Sequence, residues 1–278
     1  MREIETKIDL VETLESGQTF VWRRQTDGDG FSTAVEGEGV RVYQDDHEEG
    51  VRYETTGASE KAVRRLLGLD DPLDEIHDEI SHDELVRRGI DEYPGLRVVN
   101  DGFFACTVSF IISAQNRIPR IKSLVDEIRR RYGEPIEGYD AYVFPSAETL
   151  AEAGEEELRE IGLGYRAPYV VETARMVADG EVDPGEVRRM EYVDAHDEVK
   201  RLMGVGDKVA DCILLFSLGF NEAVPIDTWI DEAIETYYPD LAGSNYSETS
   251  ENFRDYFGEY AGYAQNYIFH YIRNHEIR

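Results

Sequence analysis

The 278 residues carry 59 acidic against 29 basic side chains, a formal charge of −30, with 41% hydrophobic and 11% aromatic content. That length and apolar share suffice for a large core in one or two units packed together, and they exclude an intrinsically disordered chain. No run of about 20 apolar residues occurs, and two cysteines, Cys106 and Cys212, without a Cys-x-x-Cys pair are too few thiolates for zinc or iron–sulfur ligation.

The start, "MREIETKIDLVETL", has no apolar run of the signal-peptide kind, so a soluble, cytoplasmic protein is expected. Residues 17–56 alternate apolar and polar positions between turns at "TDGDG", "EGEG" and "DDHEEG". "QTFVWRRQ" (18–25), "FSTAVEG" (31–37), "VRVYQ" (40–44) and "VRYETTG" (51–57) therefore read as short antiparallel strands. From about residue 59 the period becomes helical: "SEKAVRRLLGL", "DELVRRGI", "FFACTVSFIISAQN", "IPRIKSLVDEIRRRYG", "SAETLAEAG", "EEELREIGL", "APYVVETARMVADG", "DAHDEVKRLMGV", "DKVADCILLFSLGF", "DTWIDEAIETYY" and "YAGYAQNYIFHYIRN" each offer an apolar face. The predicted class is α+β. A small antiparallel β domain with flanking helices takes residues 1–95, and an all-helical domain takes 96–278.

Within the helical part, "MGVGDK" sets Gly204 and Gly206 around one apolar residue, between two helical stretches. Glycines permit positive φ and close backbone approach, so the pair can join two helices by a hairpin over residues 196–216. Its amide N–H groups, at the start of the second helix, could hold a phosphate of any sequence. A plain helix-to-helix turn fits "GVG" equally well. Lys208 then opens the second helix, Cys212 lies one turn on over the same face, and Asp227 follows Pro225 at the start of the next helix.

Hairpin glycines, lysine, cysteine and then Pro-Ile-Asp resemble the helix-hairpin-helix DNA glycosylase superfamily, in which a lysine at this point marks the glycosylase/lyase members. "SGQTFVWR" (16–23), "SAQNRIPRI" (113–121), "GLGYRAPYV" (162–170), "LMGVGDKVADCILLFSL" (202–218), "AVPIDTW" (223–229) and "FGEYAGYAQNYIF" (257–269) look like successive motifs of the 8-oxoguanine DNA glycosylase/lyase family. The resemblance spans nearly the whole chain. It implies a helix-hairpin-helix glycosylase core and a monomeric base-flipping repair enzyme that needs no cofactor and acts on double-stranded DNA containing oxidised guanine.

The residues can be read for the chemistry this implies. An amine attacks only when neutral, and a dry pocket beside a helix N-terminus favours the neutral form. Lys208 is thus the candidate nucleophile, against a solvated helix lysine. Asp227 is the candidate carboxylate for stabilising positive charge on the sugar and assisting proton transfer, although it also suits an N-cap. By resemblance, the Gly17 carbonyl would accept the extra N–H of 8-oxoguanine and Gln265 would bond the base edge, while Cys212 and Phe269 would sandwich the base. Phe269 also fits a packed apolar stripe, and Gly17 a plain turn. Asn116, Arg120, Tyr165 and Arg166 match positions that fill the gap left by a flipped base or read its partner. Two positions depart from the familiar eukaryotic pattern: Gln115 stands where asparagine is expected, and Trp229 where a histidine contacts phosphate. The first bears on preference for cytosine opposite the lesion, the second on phosphate contacts beside Asp227. His270 reads as a packed or surface residue, and no metal-ligand spacing surrounds any histidine.

Competing readings are an alkylpurine glycosylase of the same superfamily without lyase activity, which Lys208 argues against, and a non-catalytic DNA-binding module, which Lys208 and Asp227 together disfavour. The iron–sulfur branch needs a C-terminal four-cysteine cluster, and no cysteine follows Cys212. The charge adds a separate expectation. Lysine occurs only at Lys7, Lys61, Lys122, Lys200 and Lys208, so arginine supplies 24 of the 29 basic residues. An acidic, lysine-poor surface suits a halophilic archaeon's cytosol, where a Debye length of about 3 Å mutes self-repulsion; an ordinary acidic protein shares the same composition.

Overall fold

The structure is a computed structural model that describes residues 1–25, 30–44 and 50–275. Its elements, in chain order, are β1 (Arg2–Ile4), α1 (Leu10–Glu15), β2 (Arg23–Arg24), β3 (Phe31–Val35), β4 (Glu38–Tyr43), β5 (Val51–Thr55), α2 (Glu60–Leu66), α3 (Leu73–Ile80), α4 (Glu84–Glu92), α5 (Phe103–Ser113), α6 (Ile118–Tyr132), α7 (Ala147–Glu160), α8 (Ala167–Ala178), α9 (Pro184–Val187), α10 (Tyr192–Val199), α11 (Asp207–Ile213), α12 (Thr228–Tyr237), α13 (Tyr246–Phe257) and α14 (Ala261–His275). Among these described residues no helix is long and apolar enough to cross a membrane.

The five strands form one antiparallel sheet in the order β1-β5-β4-β3-β2. Alternation explains its inner face: Val40 and Val42 of β4 are buried and sit opposite Thr55 and Tyr53 of β5. The "EGEG" turn is a two-residue hairpin in which Val35 pairs with Glu38 while Glu36 and Gly37 adopt φ of 54° and 83°. The turns expected at "TDGDG" and "DDHEEG" fall, apart from Gly30 and Gly50, outside the described residues. The strand expected over 18–25 shrinks to Arg23–Arg24. Phe20, Val21 and Trp22 are all buried in succession, which a two-faced strand does not allow, and the Val21 carbonyl accepts from the Thr33 hydroxyl and the Arg129 guanidinium.

Helix α5 is apolar on every side and buried along its length, as a helix at the centre of a bundle must be. Helix α14 is nearly as buried and packs against α3, α4, α12 and α13. The "SAETLAEAG" and "EEELREIGL" helices run end to end as α7, broken where Gly154 takes φ 77° and ψ 173°. Beyond the expected helices, the fold adds β1, α1, α3, α9 and α13.

Helices α10 and α11 flank the hairpin. Gly204 sits at φ +82° with room for no Cβ, which would lie 2.8 Å from Tyr169 Cβ. Lys200 Nζ and Asp207 Oδ1 close the hairpin at 2.5 Å, and Thr173 Oγ1 donates to the Met203 carbonyl at 2.6 Å. Helix α11 continues into a π-helical turn over Leu214–Leu218 that ends where Gly219 reaches φ +81°. A π turn holds one extra residue, which rotates Phe216 relative to Cys212 compared with a regular helix.

Candidate active site

Lys208 stands in the first turn of α11, half-buried between the helix and α5. Its Nζ lies 3.5 Å from Ser113 Oγ and 5.0 Å from the centre of the Phe110 ring. That ring is stacked on Phe216 at 5.6 Å and meets Phe20 edge-on at 5.7 Å, so the ammonium faces an aromatic floor. Asp227 caps α12: its Oδ1 accepts from the Trp229 and Ile230 amides, both at 3.0 Å. Burial raises its carboxyl above the ordinary carboxylate range, while the Ile230 amide, the Lys208 charge and the Trp229 amide pull it back. The carboxylate is held by the same bonds that start the helix, so capping and site geometry coincide.

Lys208 and Asp227 line one pocket with Gly17, Gln18, Phe110, Cys212, Phe216, Pro225, Gln265, Asn266 and Phe269. It is a narrow cavity of about 40 Å³, room for no more than a few waters as it stands. Every residue expected to touch the base is therefore in one place, although positions 17 and 269 lie at opposite ends of the chain. Burial pushes the Cys212 thiol up to about 12, so it presents a neutral, polarisable wall. Gln265 and Asn266, 5% and 3% exposed, each keep a buried amide atom without a partner: Oε1 of the first and Nδ2 of the second.

Gly17 has φ +104°, and its neighbours fix it closely. The Gln18 amide donates to the Thr13 and Arg97 carbonyls at 2.9 and 2.7 Å and accepts from the Val99 amide at 2.9 Å. Arg273, whose guanidinium lies 5.2 Å from the Phe269 ring centre, donates to the Ser16 carbonyl. One arginine thus ties the Gly17 loop to α14.

A wider groove continues from this pocket past Ser113, Gln115, Asn116, Ile118 and Trp229 to Asn245 and Tyr246. Gln115 is exposed and sits at φ +54°, a left-handed turn conformation uncommon for a residue with a side chain. Asn116 Nδ2 donates to the Ile112 carbonyl at 2.8 Å, and Arg120 reaches the Gly162 carbonyl at 3.5 Å. Tyr165 is 47% exposed. Arg166 turns inward: its guanidinium binds the Ala114 carbonyl, with Nε at 2.8 Å, and lies 4.3 Å from the Tyr165 ring centre. Its place in this structure is behind the 113–117 turn, which it and Tyr165 brace. Gly206 precedes α11 with extended backbone (φ −96°, ψ −177°) and open space around it.

Sequence reading missed the support behind Asp227. Asp211, three residues after Lys208 and fully buried, accepts from the Tyr192 and Tyr246 hydroxyls, each at 2.6 Å. The Tyr246 hydroxyl also lies 3.2 Å from the Ile226 amide and from the Val224 carbonyl, on the segment that leads into Asp227. An aspartate inside the apolar run "VADCILLF" was the available signal. His270 is packed as expected, and its Nε2 lies 2.5 Å from Glu12 Oε2.

Comparison with known proteins agrees with this geometry. Residues 2–106 match the family described as 8-oxoguanine DNA glycosylase, N-terminal domain, and residues 108–259 match the HhH-GPD superfamily of base excision DNA repair proteins. The Arabidopsis thaliana N-glycosylase/DNA lyase OGG1 is 31% identical over 95% of this chain and 77% of its own length. A probable N-glycosylase/DNA lyase of Methanothermobacter thermautotrophicus is 35% identical over 61% of each chain. The Clostridium acetobutylicum 8-oxoguanine glycosylase/lyase, solved with DNA containing cytosine opposite 8-oxoguanine, superposes with a TM-score of 0.87 at 31% identity, over 98% of this chain and 94% of that one. With both halves matched in order around the lysine and aspartate of one pocket, the chain belongs to the 8-oxoguanine DNA glycosylase family of the HhH-GPD superfamily.

Proposed function

We propose that the protein is a bifunctional glycosylase and abasic-site lyase that removes 8-oxoguanine from duplex DNA. One observation carries the reading: the amine of Lys208 and the carboxylate of Asp227 share a cavity with the side chains that would hold a flipped base. Lys208 Nζ attacks the sugar C1′ as the bond to N9 breaks, and the base leaves with that electron pair and a proton. Loss of protons from nitrogen and opening of the sugar ring give the Schiff base. Removal of a C2′ proton then expels the 3′ phosphate oxygen and nicks the strand. Asp227 offsets the positive charge that grows on the sugar and relays protons.

In this reading Gly17, Gln265, Cys212 and Phe269 bind the base. Gln115, Asn116, Arg120 and Tyr165 fill the gap in the duplex, with Arg166 bracing their turn. Gly204, Gly206 and Trp229 approach the backbone phosphates. Residues 1–95 form the N-terminal unit and 96–278 the helical unit, acting as a cytoplasmic monomer. Borohydride trapping on a duplex with a single 8-oxoguanine tests the chemistry. Wild-type protein should form a covalent adduct, and Lys208→Gln should lose both adduct and nicking while still binding the lesion. Absence of an adduct with folded wild-type protein would sink the proposal.

The excess of acid and shortage of lysine further support adaptation to a saline cytosol, as in a halophilic archaeon. Such a protein should melt at a higher temperature in molar potassium chloride than in dilute buffer; a flat or falling curve excludes the adaptation.

A further inference from the structure

The base pocket contains two polar side chains to which the family resemblance gives no role, Gln18 and Asn266, and the amide of the first is spent on the Thr13 and Arg97 carbonyls and the Val99 amide. Asn266 is 3% exposed, lines the pocket beside Gln265, and its Nδ2 is buried with no hydrogen-bond partner. Its position on α14 is tightly set. Gly262, one turn earlier on the same face, lies so close to Leu215 and to the carbonyls of Asn221 and Ala223 that a Cβ there would come within 2.5 to 2.8 Å of them. That contact seats the face of α14 carrying Asn266 against the segment that leads to Phe216 and Pro225, both walls of the pocket.

A buried amide donor without a partner has lost its hydration with nothing in exchange, so its retention needs a compensating role. The two neighbouring side chains present opposite polarity. Gln265 offers an unpartnered acceptor, Oε1, and Asn266 an unpartnered donor, Nδ2. A guanine ring displays the complementary pair on one edge: the N1–H and 2-amino donors beside the O6 acceptor.

We infer that Asn266 is a specificity-determining residue whose Nδ2 donates to O6 of the flipped base, so that Gln265 and Asn266 together read a 6-oxopurine. This rests on the 8-oxoguanine reading above. Adenine-derived lesions carry a 6-amino group, which would face the Asn266 donor with another donor, and they lack the N1 proton that Gln265 accepts. Gly17 would meet the 8-oxo modification on the opposite side of the ring, so oxidation and purine identity are read by different residues. A pocket built to hydrogen-bond its ligand discriminates mainly by leaving its own groups unpaired when the wrong ligand enters.

The test compares single-turnover excision of 8-oxoguanine and 8-oxoadenine, placed in the same duplex, with nicking of a preformed abasic site as a base-independent control. Asn266→Ala should slow 8-oxoguanine excision about tenfold to a hundredfold, narrow the preference over 8-oxoadenine, and leave abasic-site nicking near wild type. An unchanged preference, or abasic nicking that falls in step with excision, overturns the inference, because the side chain would then only support Lys208 and Asp227. A crystal structure of Lys208→Gln bound to an 8-oxoguanine duplex decides the matter without the Asn266 variant. Nδ2 within about 3.2 Å of O6 is expected, and a separation beyond about 3.5 Å overturns it. Wild-type protein that nicks abasic DNA but leaves 8-oxoguanine in place would instead defeat the substrate reading on which this inference stands.

Discussion

The two walls of the base pocket are built in different ways. The reaction wall comes from one short stretch of chain, Lys208 on α11 and Asp227 at the cap of α12, beside Cys212, which the proposed function gives to the base. The recognition wall joins Gly17, near the N-terminus, to Gln265 and Phe269 on the last helix, with Arg273 bound to the Ser16 carbonyl as the tie between them. The first is positioned by helix starts close together in the chain, with Ser113, Tyr192 and Tyr246 bracing it from other helices. The second depends on long-range packing, so damage to it should impair lesion choice while leaving the amine chemistry able to act on a site that already lacks its base.

The largest expected effect is on the reaction wall. Asp227→Asn keeps a capping side chain, so α12 should stay in place, yet it removes the negative charge that the proposed reaction sets against the sugar. Single-turnover rates should fall by about 10²–10³, on abasic DNA as well as on 8-oxoguanine, with little change in affinity for the duplex. Equal losses in rate and affinity would assign Asp227 to structure alone.

Gly17→Ala addresses the other wall with a smaller effect. A residue with a Cβ is strained at φ +104°, and the added atom would sit 2.6 Å from Ile118 Cδ1 and 3.4 Å from the Arg273 guanidinium. Strain of about 1–3 kcal/mol should shift the loop and cut 8-oxoguanine excision roughly tenfold, whereas abasic-site nicking stays close to wild type. If both activities fall together, the two walls are one mechanical unit and the contrast between them fails.

The same contrast governs what could be read from the chain. The reaction wall was legible because its residues lie in one motif and its geometry follows from local rules: glycines at a hairpin, a proline before a cap, an aspartate at a helix start. The "EGEG" hairpin was legible for the same reason. The recognition wall was legible only through resemblance, since no local rule links Gly17 to Gln265. Residues 18–22 misled the strand reading because Phe20, Val21 and Trp22 all turn inward and the Val21 carbonyl is claimed by Arg129 from a distant helix. Helix α13 escaped notice because few of its side chains, chiefly Ser250, Phe253 and Phe257, face the core, which leaves a thin apolar stripe. Asp211 could be marked as an oddity in an apolar run, but its partners Tyr192 and Tyr246 lie on other helices, so its work became visible only in three dimensions.

Each wall has one buried acid behind it, and these acids give the smallest and most discriminating prediction. Asp101 stands behind the recognition wall, where its Oδ2 accepts from Thr19 at 2.7 Å and its Oδ1 has no partner. Asp211 stands behind the reaction wall between its two tyrosines, with His196 at 3.9 Å and Arg254 and Asp207 contributing opposite charges. Burial raises both carboxyls from 3.8 to about 7, against hydrogen bonds from Thr19 in one case and from the tyrosines in the other. The folded protein therefore holds two protons that the unfolded chain releases at lower pH, and stability from these groups falls as pH rises from about 4 to about 7. His77, whose imidazole burial lowers to about 4, contributes the opposite slope over the same range, so the acids are read by difference: between pH 5 and pH 7 wild-type protein should lose stability to urea relative to an Asp101→Asn/Asp211→Asn variant, and parallel curves for the two would refute the protonated acids. Only Asp211 reaches, through Tyr246, the segment that carries Asp227. Asp211→Asn should accordingly shift the pH profile of abasic-site nicking, and Asp101→Asn should leave that profile in place while altering stability alone.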